Sequence, residues 1–466
     1  MRFRPLHALS LLACAMVTLW PGSALASEGH AGAHMSPLLV LPFAGLLLCI
    51  AVLPLVIPHW WEHNRNKGIV AALFGVPMAI YLLTTNWHAL VHSLFEYMDF
   101  IILLGSLFVI SGGIFLKGDI KATPRNNLLF LSLGSVLASF IGTTGAAMLL
   151  IRPLLRTNSE RKNTRHIPIF FIFTVANMGG MLTPLGDPPL FLGFLRGVPF
   201  AWTFKLWLEW AVGLLIVLTI FFVIDSRAYK KENPEDIRYD ATHVVPLRVS
   251  GAVNFLLLGG VILCVLFLPG ILRAPDNHIG IPLRELGMVG LGLLSYFAGP
   301  KKPRADNQFS FHAITEVAVL FVGIFVAMVP ALLILEAKGP DLPLHRPWHF
   351  FWATGMLSSF LDNAPTYLTF TSVASGYLGT DAMNLHTLIA FPGSEGKPSG
   401  EDILAAISVG AVFMGANTYI GNGPNFMVKA ISDEVGLKTP SFFGYMAWSG
   451  AILIPTFVLI TFLFFR

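Results

Sequence analysis

The sequence predicts an all-α polytopic membrane protein: about ten transmembrane helices in two inverted repeats, each with a re-entrant hairpin and a broken helix. Three observations predict it. Of 466 residues, 55% are hydrophobic and 12% charged, whereas a soluble domain carries about a quarter charged residues; with a mean hydropathy of +0.70, most of the surface must face lipid. One apolar segment, 128–151, has basic residues on both flanks. A pattern in residues 137–189 returns in residues 357–424.

The first 26 residues read as a secretory signal peptide. Arg2 and Arg4 form its charged start, Leu9 to Trp20 its apolar core, and Ala24-Leu25-Ala26 a small-residue cleavage site. Cleavage would start the mature chain at Ser27 outside the cytoplasm; the alternative is an uncleaved first helix. His30 and His34 belong to a short solvated tail. Apolar spans of roughly 20 residues cross about 30 Å of hydrocarbon, and such spans lie near 38–57, 68–84, 98–116, 167–194, 202–224, 251–270, 283–299, 311–335, 403–428 and 440–465.

Segment 128–151 follows Lys117, Lys121 and Arg125 and precedes Arg152, Arg156, Arg161, Lys162 and Arg165. Cytoplasmic loops carry the Lys/Arg excess, so both flanks are expected in the cytoplasm and the segment enters and leaves on one side. With that hairpin, the cytoplasmic segments are 59–67, 117–127, 152–166, 225–250, 300–310 and 429–439. They hold 20 of the 30 Lys/Arg. The second hairpin, 350–375, enters from the opposite face.

The repeat supports this organisation. Leu137-Ala138-Ser139-Phe140-Ile141 corresponds to Leu357-Ser358-Ser359-Phe360-Leu361 at an offset of 220. Gly186-Asp187-Pro188-Pro189 corresponds to Gly421-Asn422-Gly423-Pro424 at an offset of 235, and the polar insert 376–402 accounts for most of the change. The chain therefore divides into a first repeat at 27–224, a cytoplasmic linker at 225–250 and a second, inverted repeat at 251–466. Inverted repeats with discontinuous helices are the architecture of secondary transporters, with the binding site near the bilayer midplane.

Four polar stretches rich in Gly and Pro interrupt apolar segments at matching positions. They are Gly142-Thr143-Thr144-Gly145, Thr183-Pro184-Leu185-Gly186-Asp187-Pro188-Pro189, Asp362-Asn363-Ala364-Pro365-Thr366, and Asn417-Thr418 with Gly421-Asn422-Gly423-Pro424-Asn425. Proline removes a backbone donor and glycine permits left-handed dihedrals, so helices end there. The freed carbonyls, with Thr and Asn oxygens, suit a hard cation such as sodium. Asp187 and Asp362 are the two carboxylates in these stretches, and no Lys or Arg lies in either one. A charge at the bilayer centre costs about 2.5–3.5 kcal/mol on insertion scales and marks function by default. Unpaired carboxylates there favour a cation, able to trade places with a proton, and disfavour an anionic substrate. Glu96, Asp99 and Glu316 are expected at helix starts, where a carboxylate meets the N-terminal dipole. Glu209 is expected either as a structural partner or as a proton relay, and Arg152 as an interfacial anchor of hairpin one.

Other classes find no support. Cys14, Cys49 and Cys264 lie in apolar runs without metal-ligand spacing, and GxSxG and HExxH are absent, so neither a cofactor nor an enzyme is expected. A net charge of +4 gives no case for nucleic acid. The expected partners are the lipid bilayer and a small inorganic cation or a small carboxylate.

Ser359-x-x-Asp362-Asn363-x-Pro365-Thr366 and Thr183-Pro184-x-Gly186-Asp187-Pro188-Pro189 resemble the motifs of the ion transporter superfamily, over nearly all of the chain after the signal. Its members include NhaD-type sodium/proton antiporters, arsenite efflux permeases and citrate or dicarboxylate transporters. The Asp-Asn pair looks most like the NhaD type, and the Ser-Asn-Thr hairpin tip usual in carboxylate carriers is absent. Hairpin one, however, has Gly142-Thr143-Thr144 where a second Asp-Asn pair would be expected. Members are often dimers joined by scaffold helices, which implies a homodimer here.

The expected function is exchange of sodium, or lithium, for protons across a bacterial inner membrane, with the mature N-terminus in the periplasm. Asp362 would be the shared carboxylate, with Asn363, Thr366, Thr143 and Thr144 as oxygen ligands. Asp187, Asn417 and Asn422 would complete the site, with Thr183, Thr418 and Asn425 in the same unwound stretches. The alternative is sodium- or proton-coupled transport of citrate or a dicarboxylate.

Overall fold

A computed structural model describes residues 35–273, 278–394 and 396–466. The expected signal peptide and the histidine tail lie outside the described residues. The helices are α1 (Leu41–Val56), α2 (Asn64–Thr85), α3 (Trp87–Ser111), α4 (Pro124–Ile141), α5 (Thr143–Thr157), α6 (His166–Thr174), α7 (Pro188–Leu195), α8 (Trp207–Tyr229), α9 (Pro234–Thr242), α10 (Val253–Phe267), α11 (Leu283–Ala298), α12 (His312–Lys338), α13 (Pro347–Ser358), α14 (Asn363–Leu378), α15 (Gly400–Met414), α16 (Gly423–Glu434) and α17 (Phe442–Phe464). The protein is an all-α polytopic membrane protein. Six segments are long and apolar enough to cross a membrane as single helices: Pro37–Val56, Asn64–Thr85, Trp87–Ser111, Phe200–Tyr229, His312–Asp341 and Phe442–Phe464. Other apolar segments fall short of that length: α6 to α7 and α15 to α16 are interrupted, and α10 and α11 are shorter continuous helices.

The same order of elements occurs twice: three helices (α1–α3, α10–α12), a helical pair (α4–α5, α13–α14), an interrupted helix (α6–α7, α15–α16) and a closing helix (α8, α17). Contacts between the halves are reciprocal. α2 packs on α12 and α11 on α3; α14 packs on α7 and α16 on α5; α3 meets α12, and α8 meets α17. This is the pattern of an approximate twofold axis. α12 lies in the most buried of the six spans, and Phe100 of α3 stacks on its Phe321 at 5.0 Å. α2 reaches α12 through Gly75, since an added Cβ there would sit 3.2 Å from the Gly323 Cα. Small residues allow helices to approach this closely without a hydrophobic driving force.

The breaks are tighter than the expected polar turns. α4 and α5 are separated by Gly142 alone, which reverses the chain at φ 80°, a conformation open to glycine without Cβ strain. Thr143 and Thr144 therefore belong to the first turn of α5. Likewise α14 starts at Asn363, so Asn363 to Thr366 are helical rather than loop. Arg125, Arg152 and Arg156, expected in loops, lie inside α4 and α5.

The segments that carry the basic excess are tied to neighbouring elements and, in part, to one another. Lys67 pairs with Glu316 at 2.7 Å, and Asn307 donates to the carbonyls of Gly112 and Ile114. The linker is structured rather than loose: Arg248–Ser250 forms an antiparallel pair with Phe115–Lys117. Asp240 accepts the Ala122 N–H, and Glu232 accepts those of Lys162 and Asn163. Burial pushes the Asp240 carboxyl above its ordinary range against the pull of that Ala122 hydrogen bond. Arg152 meets Glu434 at 3.2 Å, so it joins hairpin one to α16 across the halves.

Candidate functional site

Four helices begin around one carboxylate. Asp187 is the residue before α7, and 1% of it is exposed. Two prolines follow it, so its side chain finds no N–H in the first two positions of its own helix and makes no capping bond. It is filled by neighbours instead. Thr143, the first residue of α5, donates from Oγ1 to Asp187 Oδ1 at 2.9 Å. Asn363, the first residue of α14, donates from Nδ2 to Oδ2 at 2.5 Å. Asn422, the residue before α16, donates to Oδ1 at 3.3 Å. Among the described residues no Lys, Arg or His forms an ion pair with Asp187.

The two halves build this arrangement with the same bonds. The Thr183 hydroxyl donates to the Ser139 carbonyl and accepts the Leu185 N–H; the Thr418 hydroxyl donates to the Ser359 carbonyl and accepts the Ile420 N–H. Each unwound stretch is thereby stitched to the hairpin of its own half. The offset of 220 pairs Thr143 with Asn363, and both donate to Asp187. The offset of 235 pairs Asp187 with Asn422, which occupy matching positions before α7 and α16 and are directly bonded.

Asp362 stands apart from this convergence. It is half-buried and caps α14, accepting the Ala364 N–H at 3.1 Å. Thr366 bonds back to the Asp362 carbonyl within the same turn. Thr144, half-buried, hydrogen-bonds to neither carboxylate. Asn417 donates to Ser359 Oγ at 2.9 Å, while Asn425 donates to the Gly415 and Thr418 carbonyls. The side-chain oxygens of Asn363 and Asn417 are buried with no donor. Asn177, Ser139 and Ser359 join the network without having been expected in it. Asn177 donates to Asn425 Oδ1 at 2.6 Å and accepts from Asn422 at 3.2 Å; its only signal in the sequence is an amide inside an apolar run.

The electrostatics are close to balanced. A helix N-terminus carries roughly +0.5 of a charge, so four amount to about +2. Asp187 and Asp362, both ionised, would cancel that. Such a site does not repel an anion as two bare carboxylates would, but it holds little excess charge for a multiply charged one.

Residues 32–465 match the model of the CitMHS_2 family, described as "Putative citrate transport". The chain belongs to this family. No curated protein matches it. As a CitMHS_2 member the chain is a multi-pass membrane transport protein of the citrate/ion transporter kind.

The two carboxylates of α3 are paired, which corrects their expected placement. Glu96 and Asp99 lie well inside α3, which begins at Trp87, so no N-terminal dipole serves them. Glu96 takes Arg196 through two bonds at 2.7 and 2.9 Å. Asp99 meets Arg284 at 3.1 Å. Glu209 has one buried oxygen without a donor.

Proposed function

We propose that the protein is a secondary carrier that moves citrate, or a small carboxylate of that class, together with sodium ions or protons across the bacterial inner membrane. The observation that supports this best is the start of four helices around Asp187, which has no ion pair with Lys or Arg among the described residues. Helix N-termini attract carboxylates, and the near-neutral sum means that a multiply charged substrate must bring cations with it. Coupling then follows from charge balance. In this reading the two repeats are inverted in the membrane, the six basic segments face the cytoplasm, and Asp187 belongs to the coupling-ion site.

A second reading, exchange of sodium or lithium for protons, is favoured by the donor-free oxygens of Asn363 and Asn417. Asn363 already touches Asp187, and buried acceptors without donors are suited to a metal cation. Proteoliposomes separate the two. Labelled citrate and succinate uptake is measured under an imposed sodium or proton gradient, alongside sodium-driven proton movement without carboxylate. The proposal expects gradient-dependent citrate uptake. Proton movement driven by sodium alone, with no carboxylate accumulated, would establish the second reading instead.

A further inference from the structure

Away from Asp187, between α3 and α11, a second group of buried charges is not balanced. Asp99 is 0% exposed, Glu285 2% and Arg284 5%. Arg284 donates from Nη2 to Asp99 Oδ2 at 3.1 Å and from Nε to Glu285 Oε1 at 2.7 Å. One guanidinium thus serves two carboxylates. The remaining oxygens, Asp99 Oδ1 and Glu285 Oε2, are buried without any donor, and the shared guanidinium brings the two carboxyl groups to one place. Among the described side chains, the other charged or titratable groups facing this cluster are His92 and Glu96 on α3 and Arg196 at the end of α7. Arg196 is already committed to Glu96.

Ionised carboxylates only accept hydrogen bonds. Two of them on one guanidinium, each with an oxygen lacking a donor and with one negative charge in excess, are costly in a buried setting. A single proton removes both defects: it neutralises the excess charge and supplies the missing donor. We propose that Asp99 and Glu285 form a proton-binding pair, distinct from the Asp187 site, in which one proton is shared between the carboxyl groups beside Arg284. The pair bears on the transport site through α7. The Arg284 guanidinium lies 5.7 Å from the Phe194 ring, and Phe194 belongs to the same half-helix that Asp187 opens. The guanidinium is held from the other side by Gly270, where a Cβ would collide with it.

The test is infrared spectroscopy of the full-length protein in lipid at neutral pH, in H2O and D2O. A protonated carboxyl gives a carbonyl stretch, separate from the carboxylate bands, that shifts on deuteration. Asp99→Asn and Glu285→Gln should each remove one such component. Both variants should fold at least as well as the parent, because each amide supplies the missing donor without the charge. A band unchanged in both variants would overturn the proposal. So would failure of both variants to fold, and so would loss of the parent's component on adding sodium, which would make the occupant a metal cation.

Discussion

Replacing Asp187 by Asn removes one charge from the point where the two halves meet, and its consequences can be worked out bond by bond. Oδ1 survives as the amide oxygen and keeps Thr143 and Asn422. The new NH2 group takes the place of Oδ2 and would face the Asn363 NH2, donor to donor. Asn363 can resolve this by turning its amide over, because its own Oδ1 has no donor at present. The fold should therefore tolerate the change. The electrostatic effect is larger: a monovalent cation about 4 Å from the carboxylate loses about 4 kcal/mol at an effective dielectric of 20, or about three decades of affinity. In proteoliposomes, citrate uptake as a function of sodium and of proton concentration should lose its coupling-ion saturation in Asp187→Asn, while elution and thermal unfolding in detergent stay near those of the parent. A variant that takes up citrate with an unchanged half-saturating cation concentration would refute the assignment of Asp187 to the coupling ion.

Thr143→Ala should weaken coupling-ion dependence by roughly 10- to 100-fold, since a hydrogen bond to a charged group contributes about 1.5–3 kcal/mol; Thr143→Ser should restore it in the same ion titration. Asp362→Asn keeps a good N-cap for α14 and should depress uptake less than Asp187→Asn, whereas Asp362→Ala should cost about 1 kcal/mol of stability in denaturant or thermal melts. Arg196→Met strands the buried Glu96 carboxylate at a cost of about 3–5 kcal/mol. Adding Glu96→Gln should recover most of the lost melting temperature.

Sequence periodicity and charge were enough to place the architecture, because both leave local traces. Hairpin one is flanked by basic residues on both sides, and each broken helix carries Gly and Pro. The offsets of 220 and 235 even paired Thr143 with Asn363 and Asp187 with Asn422, the four residues that meet. They put Asp362 first, as the shared carboxylate, and could not show the different surroundings of Asp187 and Asp362. These depend on which backbone N–H each side chain can reach: Pro188 and Pro189 leave Asp187 uncapped and free for its neighbours, whereas Ala364 offers Asp362 a donor. The partners of Glu96 and Asp99 lie 100 and 185 residues away, so no window along the chain reveals them. The start of α3 at Trp87 was hidden for a related reason. His88 and His92 dilute the apolar signal there, although the residues around them are helical.

The bonds around Asp187 fall into two kinds with different mechanical meanings. Those inside a half include anchors on backbone: Thr183 to the Ser139 carbonyl, Thr418 to the Ser359 carbonyl, and the Thr143 N–H to the Gly186 carbonyl. Those between halves rest almost wholly on asparagine amides: Asn363 and Asn422 on Asp187, and Asn177 on Asn425. Amides rotate about their own side chains; the Asn177–Asn425 bond, being neutral, is worth only about 0.5–1.5 kcal/mol net, and each bond to the Asp187 carboxylate about 1.5–3 kcal/mol. The molecule therefore has a seam made of side chains, and on either side of it each hairpin is stitched to the interrupted helix of its own half.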